Sequence, residues 1–232
     1  MTPKLHSQKQ SHGSKGKKKS SKANNASKRP EEPPATKTPL APLVKRAPLE
    51  IKHPLRDSWT LWFFKFNKSN DWSDNLVIVY TFTTIEDFWA LYRYLRPVSN
   101  LSPGSDYSLF KTGTTPMWED ANNREGGRWI IKSERQRRTI NLDKMWLELL
   151  LFLIGGDEEI ADEINGGYVN VRQKFDKVSL WMKNRDKKSL ITQAGAAFKE
   201  CMGMDRKESI EFEFHEDSCN RSSSSAVFRY VV

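Results

Sequence analysis

Two tryptophans occur where a plain core does not need them. Trp72 stands in Ser69-Asn-Asp-Trp-Ser-Asp-Asn75 and Trp118 in Gly113-Thr-Thr-Pro-Met-Trp-Glu-Asp120, both polar and loop-like. Either each indole folds back as a plug over the core, or the pair offers the flat faces on which a nucleobase stacks. Glu119 directly follows Trp118. A carboxylate only accepts hydrogen bonds, and the guanine Watson–Crick edge offers two adjacent donors, N1–H and the 2-amino group, that one carboxylate can take together. A third tryptophan is also out of phase. In Val178-Ser-Leu-Trp-Met-Lys183 the two-residue period puts Val178, Leu180 and Met182 on one face and leaves Trp181 with Ser179 and Lys183. Trp181 is then a rim residue or part of a binding surface.

Other chemistries find little support. Cys201 and Cys219 form neither a disulfide framework nor a metal-ligand spacing, and only His53 and His215 occur beyond residue 50. There is no glycine-rich nucleotide loop and no carboxylate cluster for a metal, so no cofactor is expected, and Glu119 reads as an acceptor rather than a base. The N-terminus lacks an apolar signal, and the longest apolar stretch, Leu149 to Ile154, is too short to span a bilayer. The pattern reads as a soluble, reduced, intracellular protein without membrane contact.

The charge is unevenly placed. Residues 1–50 hold 12 basic and 3 acidic side chains, whereas residues 51–232 hold 26 of each. The tail has 7 of the 11 prolines and no aromatic residue, since the first is Trp59. Such a segment cannot bury enough apolar area to offset its ordering entropy, so residues 1–50 are expected to be a disordered basic tail and 51–232 the binding domain. Lys15-Gly-Lys-Lys-Lys19 reads as a solvated arm or as a nuclear-import or RNA-backbone patch. A general single-stranded RNA module would need a basic channel in the body, and the balanced charge of 51–232 argues against one.

The elements that must hold these groups follow from periodicity. Strands are expected at 59–66, 76–82, 107–111, 128–132, 168–173, 177–183, 208–215 and 227–232. Helices are expected at 85–96, opened by a Thr84 capping sequence and stopped by Pro97, at 142–154, ended by Gly155-Gly156, and from Ser189 to about Met202. The class is α+β, an antiparallel sheet with helices on one face. The 142–154 helix is apolar nearly all round, with Met145, Leu149 and Phe152 on one side and Leu147, Leu150, Leu151 and Ile154 on the other. A helix lying on a sheet needs one stripe about 100° wide, so the second stripe is covered by this chain or by a partner.

The body resembles the eukaryotic translation initiation factor 4E family, whose standard cytoplasmic members bind the mRNA 5′ cap. The matching stretches are His53-Pro-Leu, Trp59-Thr-Leu-Trp-Phe-Phe, Ile85-Glu-Asp-Phe-Trp-Ala-Leu-Tyr92, Asp106-Tyr-Ser-Leu-Phe and Pro116-Met-Trp-Glu-Asp. In the same order follow Gly126-Gly-Arg-Trp, Trp146-Leu-Glu, Val169-Asn-Val-Arg and Arg229-Tyr-Val-Val. The resemblance implies a curved antiparallel sheet with three helices on its convex face and a cap slot on the concave one. It implies that Trp72 and Trp118 sandwich 7-methylguanine, Trp181 meets the N7 methyl group, Glu119 takes the base edge, and Arg172, Lys177 and Arg128 hold the triphosphate. Asp106 would orient Arg172 or simply pair with it, and Phe175 stands where a small loop residue is expected before Lys177.

A dorsal patch of His53, Pro54, Ile85, Trp89, Leu147, Glu148, Leu150 and Leu151 would bind a short helix from the scaffold initiation factor 4G or from 4E-binding repressors. Ser224 matches a regulatory phosphoserine position, and Arg221 could approach the cap phosphates. The implied function is to bind the 7-methylguanosine cap and recruit the scaffold for cap-dependent translation. The alternative is a cap-binding repressor that does not recruit it. The implied state is a monomer outside the complex, cytoplasmic, with a nuclear pool left open by the lysine run.

Overall fold

The computed structural model describes residues 51–67, 72–156, 158–219 and 228–232, without the side chains of Trp72, Arg135, Ser218 and Cys219. The expected tail, Arg221 and Ser224 lie outside the described residues.

Eight antiparallel strands form one curved sheet: β1 Pro54–Lys65, β2 Leu76–Thr84, β3 Ser105–Lys111, β4 Gly127–Glu134, β5 Ile164–Asn170, β6 Phe175–Met182, β7 Glu211–Phe214 and β8 Tyr230–Val231. Their order across the sheet is β2-β1-β3-β5-β6-β4-β7-β8. Among the described residues, helices α1 Ile85–Tyr94, α2 Asp143–Gly155 and α4 Lys188–Cys201 are the three long ones, and α3 Glu158–Ala161 and α5 His215–Cys219 are single turns. The α+β class with one helical face is as expected from the sequence.

Alternation decides which face each residue serves. Trp59 and Leu61 on β1, Leu109 on β3, Trp129 and Ile131 on β4, Val169 on β5 and Val178, Leu180 and Met182 on β6 all join the large core under the helices. Their neighbours in sequence face the other way. On that second face Phe110, Tyr168 and Trp181 form a separate small cluster, with Trp118 packed against it.

Local chemistry sets the helix ends. The Thr84 hydroxyl accepts from the Asp87 N–H at 3.2 Å and donates to the Asp87 carboxylate at 2.7 Å, which caps α1. Helix α4 approaches the sheet closely because Gly195 lies on the Trp129 ring, where a Cβ would come within 2.4 Å of ring atoms, while the Trp129 Nε1–H donates to the Ile191 carbonyl at 2.9 Å. Two expected strands are shorter. The 208–215 strand begins only at Glu211 and ends at Phe214 because His215 opens α5, and the C-terminal strand is reduced to Tyr230–Val231.

Candidate functional site

The floor of the concave face is aromatic. Trp181 is 3% exposed, so it is not the rim residue that its spacing also allowed. Its ring packs 5.3 Å from Phe110 and 5.3 Å from Tyr168, centroid to centroid. The sequence pattern placed it on the correct face, but the neighbouring strands supply aromatic partners that a single strand cannot reveal.

Trp118 packs onto this floor from the Thr112–Gly126 connection, a loop pinned by buried amides. Asn123, fully buried, donates to the Thr115 and Met117 carbonyls, both at 2.8 Å. Asn165 reaches across from β5 to the Asn122 carbonyl at 2.6 Å and the Asn123 Oδ1 at 2.9 Å. The Tyr168 hydroxyl donates to the Pro116 carbonyl. Burial would raise the Asp120 carboxyl, but hydrogen bonds from the Thr115 and Asn122 N–H groups outweigh it and hold the carboxyl below its usual range. Sequence reasoning missed Asn123, Asn165 and Tyr168: Asn165 and Tyr168 act only across the fold, and Asn123, although its own bonds are local to the loop, carries no sequence signal that sets it apart from the neighbouring Asn122. Glu119 is exposed, and its Oε1 accepts from the Trp118 indole N–H. The backbone of Trp72 enters a short 3₁₀ turn, Trp72–Asn75, just before β2, and its side chain lies outside the description.

Next to the floor lies a cationic group. Lys177 shares a face of β6 with Ser179 and Trp181, and across β4 it is paired with Lys132, as Trp181 is with Arg128. Burial, with Arg128, Lys132 and Arg172 around it, pushes the Lys177 ammonium down, and Glu213 opposes this only in part. Among the described residues Lys177 has no ion-pair partner. Arg128 donates to Glu213 at 2.5 and 2.8 Å, and its guanidinium lies 5.9 Å from the Trp181 ring centre. Arg172 is bidentate on the nearly buried Asp106, a bond that raises its affinity for its proton, yet its side chain is 41% exposed. Beneath, the fully buried Asp176 accepts two bonds from Arg138 at 2.6 Å and one from the Arg172 N–H at 2.9 Å, locking the β5–β6 turn. Like charges converging on a half-buried lysine form a site that an anion would relieve.

His215 seals the floor. It is 1% exposed, its ring centre is 4.1 Å from that of Trp181, and among the described residues neither ring nitrogen has a partner. Burial, helped by Arg128 and opposed by Glu213, lowers its pKa to about 3. The unfolded chain takes up this proton near 6.5 and the folded one does not until about 3, so the stability contribution is complete above 6.5 and lost as pH falls through that interval. In denaturant titrations the native chain should lose up to ~1.4 kcal/mol per pH unit more than His215→Phe between about pH 6 and 4. Parallel curves would refute the neutral, buried imidazole.

The dorsal patch separates into surface and support. On α2 the stripe Trp146, Leu149, Leu150 and Leu153 is buried against the sheet. Leu150 is 2% exposed and belongs to the core, which corrects its expected place on the binding surface: it follows Trp146 by four residues and so shares that inward face. Phe152 is covered by α4, its ring 6.0 Å from Phe198. Leu147 and Leu151 are left partly open, along with Ile85 and Trp89 on the neighbouring α1 at 41% and 39% exposure. His53 and Pro54 are exposed at the entry to β1, where the His53 Nδ1 lies 2.6 Å from Glu86. Glu148 is partly exposed, and its carbonyl accepts from the Cys201 thiol at 3.6 Å.

Known proteins share this sequence pattern and fold. The family model described as Eukaryotic initiation factor 4E matches residues 54–229. Human eukaryotic translation initiation factor 4E is 43% identical over 213 residues, spanning 87% of this chain and 98% of the relative. A solved structure of Ascaris suum eIF4E-3 with the m2,2,7G cap is 43% identical, with a TM-score of 0.73 over 78% of this chain and 99% of that one. A schistosome eIF4E complexed with m7GpppA and 4E-BP is 32% identical, with a TM-score of 0.72 over 79% of this chain and 100% of that one. Matched over three quarters of its length, from the start of β1 to Arg229, the chain belongs to the eukaryotic initiation factor 4E family.

Proposed function

We propose that this chain binds the 7-methylguanosine 5′ cap of mRNA and recruits the scaffold factor 4G through its dorsal helices, starting cap-dependent translation. The observation that carries this reading is the junction of Trp118 and the Trp181 floor with the crowded cations Lys177, Arg128 and Arg172. A stacking surface beside a polyphosphate site fits one end of a capped RNA. Methylation at N7 makes the purine cationic, and a cation over an indole face gains ~0.5–2 kcal/mol. In this reading Trp72 closes the sandwich, Glu119 takes the base edge, and Trp181 lies under the methyl group. Relatives crystallised with m2,2,7G, m7GpppA and 4E-BP support both the ligand class and the partner class.

The work is binding rather than catalysis, and neither metal nor cofactor enters it. It takes place where mRNA is translated, in the cytoplasm. The lysine run 15–19 is the feature that would support a nuclear pool. Residues 1–50 act in this reading as a basic arm, and Ser224 as a modification site. Tryptophan fluorescence should quench on adding 7-methyl-GTP and far less with GTP. Equal responses would overturn the charge argument.

The partner surface is separable from the slot. Trp89→Ala should weaken binding of a 4G or 4E-BP helix by about 2 kcal/mol or more, the usual cost of removing an aromatic anchor. Affinity for 7-methyl-GTP should stay nearly intact, as calorimetry on the same variant would show. Loss of both would make Trp89 a core residue.

A further inference from the structure

We propose that Phe175 is a stacking platform for the nucleobase that follows the triphosphate of a capped mRNA. This inference rests on the cap-binding reading and extends it by one nucleotide. Phe175, Lys177, Ser179 and Trp181 alternate on one face of β6, opposite Glu134, Lys132, Ile130 and Arg128 of β4. At about 3.3 Å per residue, Phe175 lies roughly 7 Å beyond Lys177 and roughly 20 Å from Trp181 along the strand. Aromatic floor, cations, aromatic ring: the order along β6 repeats the order base, phosphates, base in a capped end.

The ring is held outward by its neighbour. Asp176 is fully buried and bound to Arg138 and to the Arg172 N–H, so alternation forces Phe175 to the opposite face. The ring is 50% exposed and has no aromatic or cation–π contact among the described residues. A single exposed apolar residue is ordinary on a surface. This one, however, is fixed between Lys174 and the half-buried Lys177, at the end of a cationic path. Glu134 faces it across β4, and its charge disfavours a phosphate there while leaving an acceptor for the exocyclic amine of a base. Stacking tolerates any base, so the subsite extends contact along the message without selecting its sequence.

The full chain should be titrated with 7-methyl-GTP, m7GpppA and m7GpppG, as wild type, Phe175→Ala and Phe175→Tyr. Phe175→Ala should weaken both dinucleotide caps roughly 5- to 10-fold while changing 7-methyl-GTP by less than about two-fold, and Phe175→Tyr should match wild type. Equal losses for mononucleotide and dinucleotides would reduce Phe175 to a support of the phosphate site and overturn the proposal, as would unchanged dinucleotide affinity. A wild-type chain that binds no 7-methyl-GTP would overturn the cap reading itself, a separate outcome.

Discussion

Glu119→Ala is expected to lower affinity for 7-methyl-GTP by roughly 10- to 100-fold, the worth of ~1.5–3 kcal/mol for hydrogen bonds to a charged acceptor. The argument is one of inventory. The guanine edge presents two donors, and Glu119 is the exposed acceptor next to the Trp118 face. Its Oε1 already holds the indole N–H, which fixes the carboxylate beside the ring, and a carboxylate has lone pairs enough to take further donors. Glu119→Gln is the sharper variant. It keeps size and one acceptor but sets an NH₂ group against the base donors, so it should fail nearly as badly as alanine. Trp118→Leu should weaken binding too, and selectively for the methylated base, since the lost face served a cation. Fluorescence titration of the three variants with 7-methyl-GTP and GTP checks all of this. A glutamine variant with wild-type affinity would remove Glu119 from the site.

Asp176→Ala should cost about 3–5 kcal/mol of stability, because it leaves the buried Arg138 guanidinium without its counter-charge. For a chain of this size that lowers Tm by on the order of 10 °C. Removing one partner of a buried pair is expensive, whereas replacing both by apolar residues need not be. Arg138→Met with Asp176→Leu should therefore recover much of the loss in thermal melts. Stability and affinity should part in that double variant. The Arg172 N–H is bound by Asp176, so the double variant should regain stability without regaining full affinity for the triphosphate. A single variant that melts like wild type would mean that water replaces the carboxylate.

These predictions draw unequally on sequence and structure. The carboxylate of Glu119 beside an indole, and the placing of Trp181 on the face opposite Val178, Leu180 and Met182, were readable from residue type and a two-residue period. The Asp176–Arg138 lock was not, since its members are 38 residues apart and each alone reads as a surface charge. Leu150 shows the same limit on a helix. Its apolar character was plain, but whether an apolar stripe meets a sheet or a partner depends on what lies across from it, and β1, β3 and α1 lie across from this one. His215 looked like the end of a strand until the fold set it against Trp181.

Periodicity and residue chemistry alone determine the α+β class, the strand faces, the helix caps and the types of group that could grip a base, because these depend on neighbours along the chain. Only the folded sheet decides which of those groups converge, which charges are buried and which apolar residues stay open. Convergence is set by strand register between distant segments, and burial by packing from every side at once, and neither quantity has a value in a sequence read one residue at a time.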